Sequence, residues 1–131
     1  MSARPLDGVV TFPEGLPGFE QARQFVLIAS PDLHPFTVLQ DVEAAGPSFV
    51  TIDPRQLAGG FSTDLGRADL ARLQADGHDH LLWLVIVAAH EDGTATANLR
   101  APLVINPASM RGIQVIAIES AYAVDHPLRA A

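Results

Sequence analysis

Residues 94–107 constrain the possible fold more than any other part of the chain. Apolar side chains occupy every second position in the middle of this stretch, at Leu99, Ala101, Leu103 and Ile105. Polar side chains occupy alternate positions, at Asn98, Arg100 and Asn106. This period of two predicts a strand that is buried on one face. Because Pro102 has no N–H to donate, we expect two short strand segments separated by an edge position or a bulge.

Short strand-like segments also make up most of the remaining chain, with turn residues between them. They cover residues 6–12, 25–29, 36–42, 48–53, 80–89 and 113–119. Residues 25–29 are expected to form a buried strand. The segment 80–89 is apolar at both alternating positions, which predicts a central strand buried on both faces. The Asp-Gly turn that ends at Gly93 then predicts a hairpin into residues 94–107.

Residues 65–76 carry the one helical pattern. Leucines at 65, 70 and 73 give an approximate helical stripe, with Asp64 as the expected N-cap and Gly77 beyond the C-terminus. A helix this short must pack its leucines on the sheet, and we expect it to plug or cap one end. The predicted fold is therefore mainly β, a small antiparallel barrel or sandwich of about seven strands with one short helix.

The composition limits the classes of function that the chain can have. The 131 residues match the size of one domain and carry a formal net charge of −7. All eight basic residues are arginines and there is no cysteine, which excludes disulfides, thiol nucleophiles, Schiff-base lysines and phosphate-binding loops that need lysine. Nucleic-acid binding is disfavoured because it requires clustered positive charge. A basic protein partner is favoured instead.

The chain also lacks the sequence signals of export and membrane insertion. Its first residues do not form the apolar core of a signal peptide, and its longest apolar run, 81–89, is far shorter than the roughly 20 residues of a membrane helix. We therefore expect a soluble protein that acts in the cytoplasm.

Two alternatives to a binding protein follow from the residue types and the predicted fold. His78, Asp79 and His80 have a spacing that suits a metal ion, as in a metal-dependent hydrolase, but no third histidine or carboxylate ligand is obvious and a helix-to-strand junction is an ordinary place for polar residues. No serine lies in a Gly-x-Ser-x-Gly sequence, and the acidic residues fall mainly in turns. The second alternative is a closed β-barrel that holds a small molecule.

Several motifs, in order along almost the whole chain, resemble the FliW family of bacterial flagellar assembly factors. They are Gly-Leu-Pro-Gly-Phe-Glu at 15–20, Phe-Thr-Val-Leu-Gln at 36–40, Asn-Leu-Arg-Ala-Pro-Leu-Val-Ile-Asn at 98–106, Gln-Val-Ile at 114–116 and His-Pro-Leu at 126–128. The chain departs from the family pattern at Arg100, where many relatives carry glutamine, and at 58–61, which is sparse in aromatic residues.

The resemblance implies a single FliW-like domain over residues 1–131, without enzymatic activity, cofactor or bound metal. It implies two alternating protein partners in the cytoplasm, flagellin and the translational regulator CsrA. Free FliW binds CsrA and relieves its repression of flagellin messenger RNA, whereas newly made flagellin occupies FliW. No direct contact with nucleic acid or membrane is implied, and the free protein is expected to be a monomer.

The residues expected to contact partners are polar or exposed side chains beside the family-like segments. They are Phe19, Glu20, Gln40, Asp41, Asn98, Arg100 and Glu119. An acidic surface suits a basic regulator, and the helical end of flagellin suits an apolar groove. The alternative is that these residues maintain the fold. For Asn98 and Asn106 that alternative is the stronger one, because an amide readily satisfies turn backbone.

Overall fold

The computed structural model describes residues 8–78, 80–116 and 120–128, and the fold is mainly β as predicted. The strands are β1 (Val9–Thr11), β2 (Gln24–Ile28), β3 (Phe36–Asp41), β4 (Ser48–Ile52), β5 (Leu82–Ala89), β6 (Ala95–Ala97), β7 (Leu103–Asn106), β8 (Arg111–Gln114) and β9 (His126–Pro127). A short 3-10 helix covers Pro54–Gln56, and the α-helix α1 covers Arg67–Leu73. The predicted strand ends at residues 6–7 and 117–119 lie outside the described ranges.

Seven of the strands form a closed barrel. Their order is β4-β3-β2-β1-β8-β7-β5, and pairing of β4 with β5 completes the ring. The predicted barrel is confirmed, but it is not wholly antiparallel, because β1 and β8 run parallel where Thr11 lies opposite Arg111. The strands β6 and β9 extend from β5 as a small side sheet outside the ring.

Large apolar side chains fill the interior of the barrel. The buried cluster comprises Val10, Phe12, Leu16, Phe25, Leu27, Leu39, Leu84, Leu103 and Ile105. Phe12 meets Phe25 edge to face with ring centroids 5.6 Å apart, an arrangement favoured by the ring quadrupoles. The described residues therefore give the barrel a packed apolar core.

Helix α1 lies on the outer face of β7 and β8. Leu65 and Leu73 pack there with Val104, Ile113 and Val115, whereas the neighbours Leu103 and Ile105 point into the barrel. The expectation that the helix plugs one end is therefore wrong. Its leucines instead bury apolar side chains that alternate outward from the strands.

The helix is also shorter than the predicted 65–76. It begins after Gly66, whose N–H donates to Oδ2 of Asp69 at 3.1 Å, and it ends at Gln74, which is left-handed with φ 53°. Asp64 and Gly77 therefore do not have the predicted capping roles. Leu65 lies before the helix because the N-cap Gly66 has extended backbone angles, φ −76° and ψ 170°, and the N–H of Leu65 donates to Nε2 of His78 at 3.4 Å.

A second layer covers the outer face of β5. Ile52, Phe61, Val85, Ala97 and Leu99 form a buried cluster there. The C-terminal residues 120–128 close this layer, since the ring of Tyr122 stacks on Phe61 at 4.7 Å. Residue 85 on β5 is thus buried outside the barrel while residue 84 is buried inside it. The prediction of a strand buried on both faces is therefore confirmed at Leu84 and Val85, whereas Ala88 and Ala89 at the end of β5 are exposed.

The stretch 94–107 forms two strand segments as predicted, β6 and β7, with Pro102 between them. The hairpin at Gly93 is confirmed, because the N–H of His90 donates to the carbonyl of Thr94 at 2.8 Å and β5 pairs antiparallel with β6. The expectation of one buried face is wrong for β7, all four residues of which are buried. The reason is that α1 covers the outward face.

Candidate functional site

The connection between β1 and β2 folds over one end of the barrel and presents Phe19. The Phe19 side chain is 46% exposed, and its ring meets Phe49 edge to face at 5.3 Å. Phe49 in turn lies 6.2 Å from the core residue Phe25. The loop needs glycine at Gly15, where φ is +67° and an added Cβ would lie 2.5 Å from the Glu20 carbonyl oxygen. Aromatic rings therefore lead from the core to the surface at this end.

Glu20 adds a negative charge beside Phe19. Its Oε2 accepts from the N–H of Gly18 at 2.9 Å, and this hydrogen bond lowers the pKa of the fully exposed carboxyl below its ordinary value. The carbonyl of Glu20 also accepts from Nε of Arg23 at 3.2 Å. Glu20 therefore both shapes the loop and keeps an ionised carboxylate at the surface.

Gln40 and Asp41 lie at the same end of the barrel, because Leu39 pairs with Phe49 and Gln40 with Ser48. Asp41 is only 7% exposed, and its Oδ1 accepts from the N–H of Glu43 at 2.9 Å in the β3–β4 turn. Gln40 is half-buried, and its Nε2 donates to the carbonyl of Asp41 at 3.2 Å. Gln40 therefore borders the surface, whereas Asp41 supports the turn.

Asn98 and Arg100 contact a different part of the chain. Oδ1 of Asn98 accepts from the N–H of Arg100 at 3.1 Å, and Nε of Arg100 donates to the carbonyl of Tyr122 at 3.0 Å. Both side chains are half-buried. Asn98 therefore satisfies local backbone, as its fold-maintaining alternative proposed, and Arg100 holds Tyr122 against the barrel. Glu119 lies outside the described residues.

Asn106 also acts on backbone. Its Nδ2 donates to the carbonyls of Leu73 and Gln74 at 3.0 and 3.2 Å, and its Oδ1 accepts from the N–H of Ala108 at 3.0 Å. Ser109 Oγ donates to the same Leu73 carbonyl at 2.7 Å. These bonds satisfy the last carbonyls of α1 and fix the helix on β7.

The sequence-predicted residues thus fall into two groups. Phe19, Glu20, Gln40 and Asp41 form a barrel-end group, and Asn98 and Arg100 form a group beside the C-terminal residues. The structure brings together the members of each group through the contacts above. Their role in binding partners remains a prediction.

Sequence reasoning missed an exposed row of apolar residues on the outside of β1–β4. This outer face consists of Val9, Val26, Ile28, Val38 and Val50. The strand register makes them neighbours, because Val9 lies opposite Val26, and Val38 lies opposite both Ile28 and Val50. Residues 25–29 are apolar at every position, and that run predicted a buried strand. Ile28 is in fact 43% exposed.

Two surface depressions flank Glu14. One, of about 190 Å³, lies between residues 14–20 and β8, and the other, of about 230 Å³, lies between α1 and Arg111. Arg72 spans the rim of the second, donating to Oε1 of Glu14 at 2.5 Å and to Oδ1 of Asp69. The bonds to Asp69 and Glu14 raise the pKa of Arg72 above its ordinary value. The guanidinium is therefore already neutralised by carboxylates of the chain itself.

The histidines at 78 and 80 do not come together with a third ligand in the described ranges. There, no three His, Asp or Glu side chains lie close enough to hold a metal ion. Asp79, the middle residue of the predicted metal motif, lies outside those ranges. Across the same part of the chain, no helix has the length and apolar character needed to cross a membrane.

Comparison with known proteins gives a consistent match. The family model described as FliW protein matches residues 5–128. The flagellar assembly factor FliW of Syntrophomonas wolfei is 37% identical over 123 residues, which cover 93% of this chain and 79% of that protein. The FliW of Thermoanaerobacter pseudethanolicus is 34% identical over 124 residues, covering 93% and 83%. A crystal structure of the flagellar assembly factor FliW superposes with a TM-score of 0.82 at 35% identity, covering 91% of this chain and 84% of that one.

Proposed function

Because the chain belongs to the FliW family of flagellar assembly factors, we propose that it is a non-enzymatic binding protein of the cytoplasm with two alternating partners. One partner is newly made flagellin. The other is CsrA, whose repression of flagellin messenger RNA ends when the free protein binds it. The observation that carries this proposal is the match of residues 5–128 to the family, together with the similarity in fold.

The charge of the chain supports a basic protein partner. The net charge is −7 with no lysine, and arginines 55 and 72 are paired with carboxylates of the chain itself. A field of this sign attracts basic surfaces and repels phosphate backbones. It therefore supports contact with an RNA-binding regulator in preference to contact with RNA.

The packed barrel supports binding on the surface instead of inside. Nine buried apolar residues occupy the interior, so a small-molecule carrier of the kind that encloses its ligand has little support. We propose the exposed members of the barrel-end group as the first partner contact, because Phe19 offers an exposed aromatic ring and Glu20 an ionised carboxylate at one place.

Alternation requires only that the two binding events exclude one another. Each partner's free concentration then sets how much of the protein is available to the other. A shared surface or coupled conformations would both produce this effect.

Gel filtration of the purified protein with flagellin and with CsrA from the same genome tests the proposal. We expect each partner to co-elute with it at micromolar concentrations, and added flagellin to displace CsrA. The CsrA complex should weaken as salt is raised, because exposed charges are screened. If neither partner co-elutes, the proposed function is wrong, and if both bind at once, the alternation is wrong.

A further inference from the structure

Within the described ranges, the chain covers the outside of the barrel on one side and leaves it exposed on the other. Helix α1 covers β7 and β8, and residues 120–128 with β6 cover β5. The outer face of β1–β4 has a similar apolar chemistry, with Val9, Ile28 and Val50 each between 42 and 43% exposed. Contiguous exposed apolar residues on a protein surface are a feature of interaction sites.

The way the ring is closed limits what can occupy this face. β2 and β3 each have a paired strand on both sides, whereas β1 pairs with β8 only at Thr11 and β4 pairs with β5 only at Thr51 and Ile52. In the middle of the face, a partner therefore cannot bind by adding a strand, because β2 and β3 already lie between two paired strands. It must bind through its side chains.

The covered side indicates the shape of a suitable partner. There, Leu65 and Leu73 of the α1 region pack on the outward Val104 and Ile113 of two adjacent strands. The open face presents Ile28, Val38 and Val50 in a line across three adjacent strands. Strands are about 4.8 Å apart and a helix rises about 5.4 Å per turn, so one apolar stripe of a helix can follow that line.

Charge indicates what should flank that stripe. Exposed carboxylates stand at both ends of the open face, with Glu20 and Glu43 at one end and Asp32 at the other. Arg23 lies at the same end as Glu20, and its Nε donates to the Glu20 carbonyl. The net charge of −7 also repels a second copy of the chain.

We infer that the outer face of β1–β4 docks an amphipathic helix of a partner protein whose apolar stripe is flanked by lysine or arginine. Gln40, which lies opposite Val26, borders this face and provides a polar contact at its edge. The inference does not depend on whether the partner is flagellin or CsrA.

NMR titration of the isotope-labelled protein tests this with two synthetic peptides of leucine and lysine. One peptide has its leucines on a single helical face, and the other has the same composition with the leucines scattered. We expect the first peptide to shift the signals of the outer face of β1–β4, and the scattered peptide to bind at least about tenfold more weakly. Binding should weaken as salt is raised.

A matched pair of variants locates the contact. Ile28→Thr combined with Val50→Thr keeps β-branched side chains in the strands but reduces the apolar surface, and we expect about a tenfold loss of affinity for the first peptide. Val124→Thr alters another exposed valine, 53% exposed and outside the face, and should change the affinity less than about twofold. Far-ultraviolet circular dichroism confirms that both variants are folded.

The inference is overturned if the peptide does not bind, if its shifts map to α1 or to residues 120–128, or if both peptides bind equally. Sedimentation showing that the wild-type protein dimerises through this face would also overturn it. These outcomes are separate from a failure of flagellin or CsrA to co-elute, which concerns the proposed function alone.

Discussion

The two sides of the barrel exterior use similar residues for different purposes. On the covered side, β7 has every side chain buried, and Val104 and Asn106 point outward against α1. On the open side, Val9 and Val50 also point outward from their strands but remain more than 40% exposed. A β-branched side chain that points out of the barrel thus stabilises the fold only where another segment of the chain packs over it. Where no segment packs over it, the residue is free to contact another protein.

The largest difference between the sides should appear in stability. Leu73 of α1 is 0% exposed where it packs on β7 and β8, so Leu73→Ala removes buried methyl groups and leaves a cavity. We expect it to lower the free energy of unfolding by about 3 kcal/mol, measured by urea denaturation. Val50→Ala on the open side is the matched control and should cost less than about 1 kcal/mol. Equal losses would show that the open face is buried in solution.

A second test concerns the polar attachment of the helix. Asn106→Ala leaves the carbonyls of Leu73 and Gln74 without their amide donor, and we expect a loss of about 2 kcal/mol. Hydrogen exchange in α1 should become faster, because the helix is no longer fixed at its C-terminus. Asn98→Ala removes one bond at a half-buried site and should cost less. If exchange in α1 is unchanged, packing of the leucines alone holds the helix.

The strands were predictable from sequence because alternation and turn residues are local signals. The packing of α1 and of residues 120–128 on the outside of the barrel was not predictable, because it depends on contacts between distant segments. The polar positions of residues 94–107 predicted an exposed face, yet Asn106 is buried because α1 lies over it. The parallel contact between Thr11 and Arg111 joins residues about 100 positions apart, and no local pattern indicates such a pairing.

The candidate site, like the fold, was predictable from the sequence only in part. The family motifs led to Phe19 and Glu20, which the structure places together at one barrel end. They also led to Asp41, which the structure buries. Asp41 lies on the same side of the sheet as Phe25, its partner on β2. A single sequence does not reveal which residues of two strands are paired. The open face was missed because apolar residues at both parities normally indicate burial on both sides.

Phe19 lies where the core meets the open side, and its removal should have an intermediate effect. Phe19→Ala deletes the edge-to-face contact with Phe49, and we expect a loss of about 1 kcal/mol in stability, since the ring is 46% exposed. Phe19→Leu keeps the apolar bulk and should lose less. Isothermal titration with the proposed partners should show a larger loss of affinity for Phe19→Ala than for Phe19→Leu. Unchanged affinity in both would remove the barrel end from the interface.

The smallest effect should come from Glu20, whose hydrogen bond from Gly18 lowers the pKa of its carboxyl. A lowered pKa in the folded state means that the ionised form stabilises the protein at a pH above the ordinary value of 4.5, and that this contribution is lost as pH falls through the folded pKa. Glu20→Gln should therefore be slightly less stable than wild type at neutral pH, and the difference should disappear in acid. Paired thermal melts across this pH range measure it, and an NMR titration should give Glu20 a midpoint below 4.5. A midpoint at or above that value would mean that the loop does not hold the carboxylate in solution, and the ionised charge proposed for the barrel end would lose its structural support.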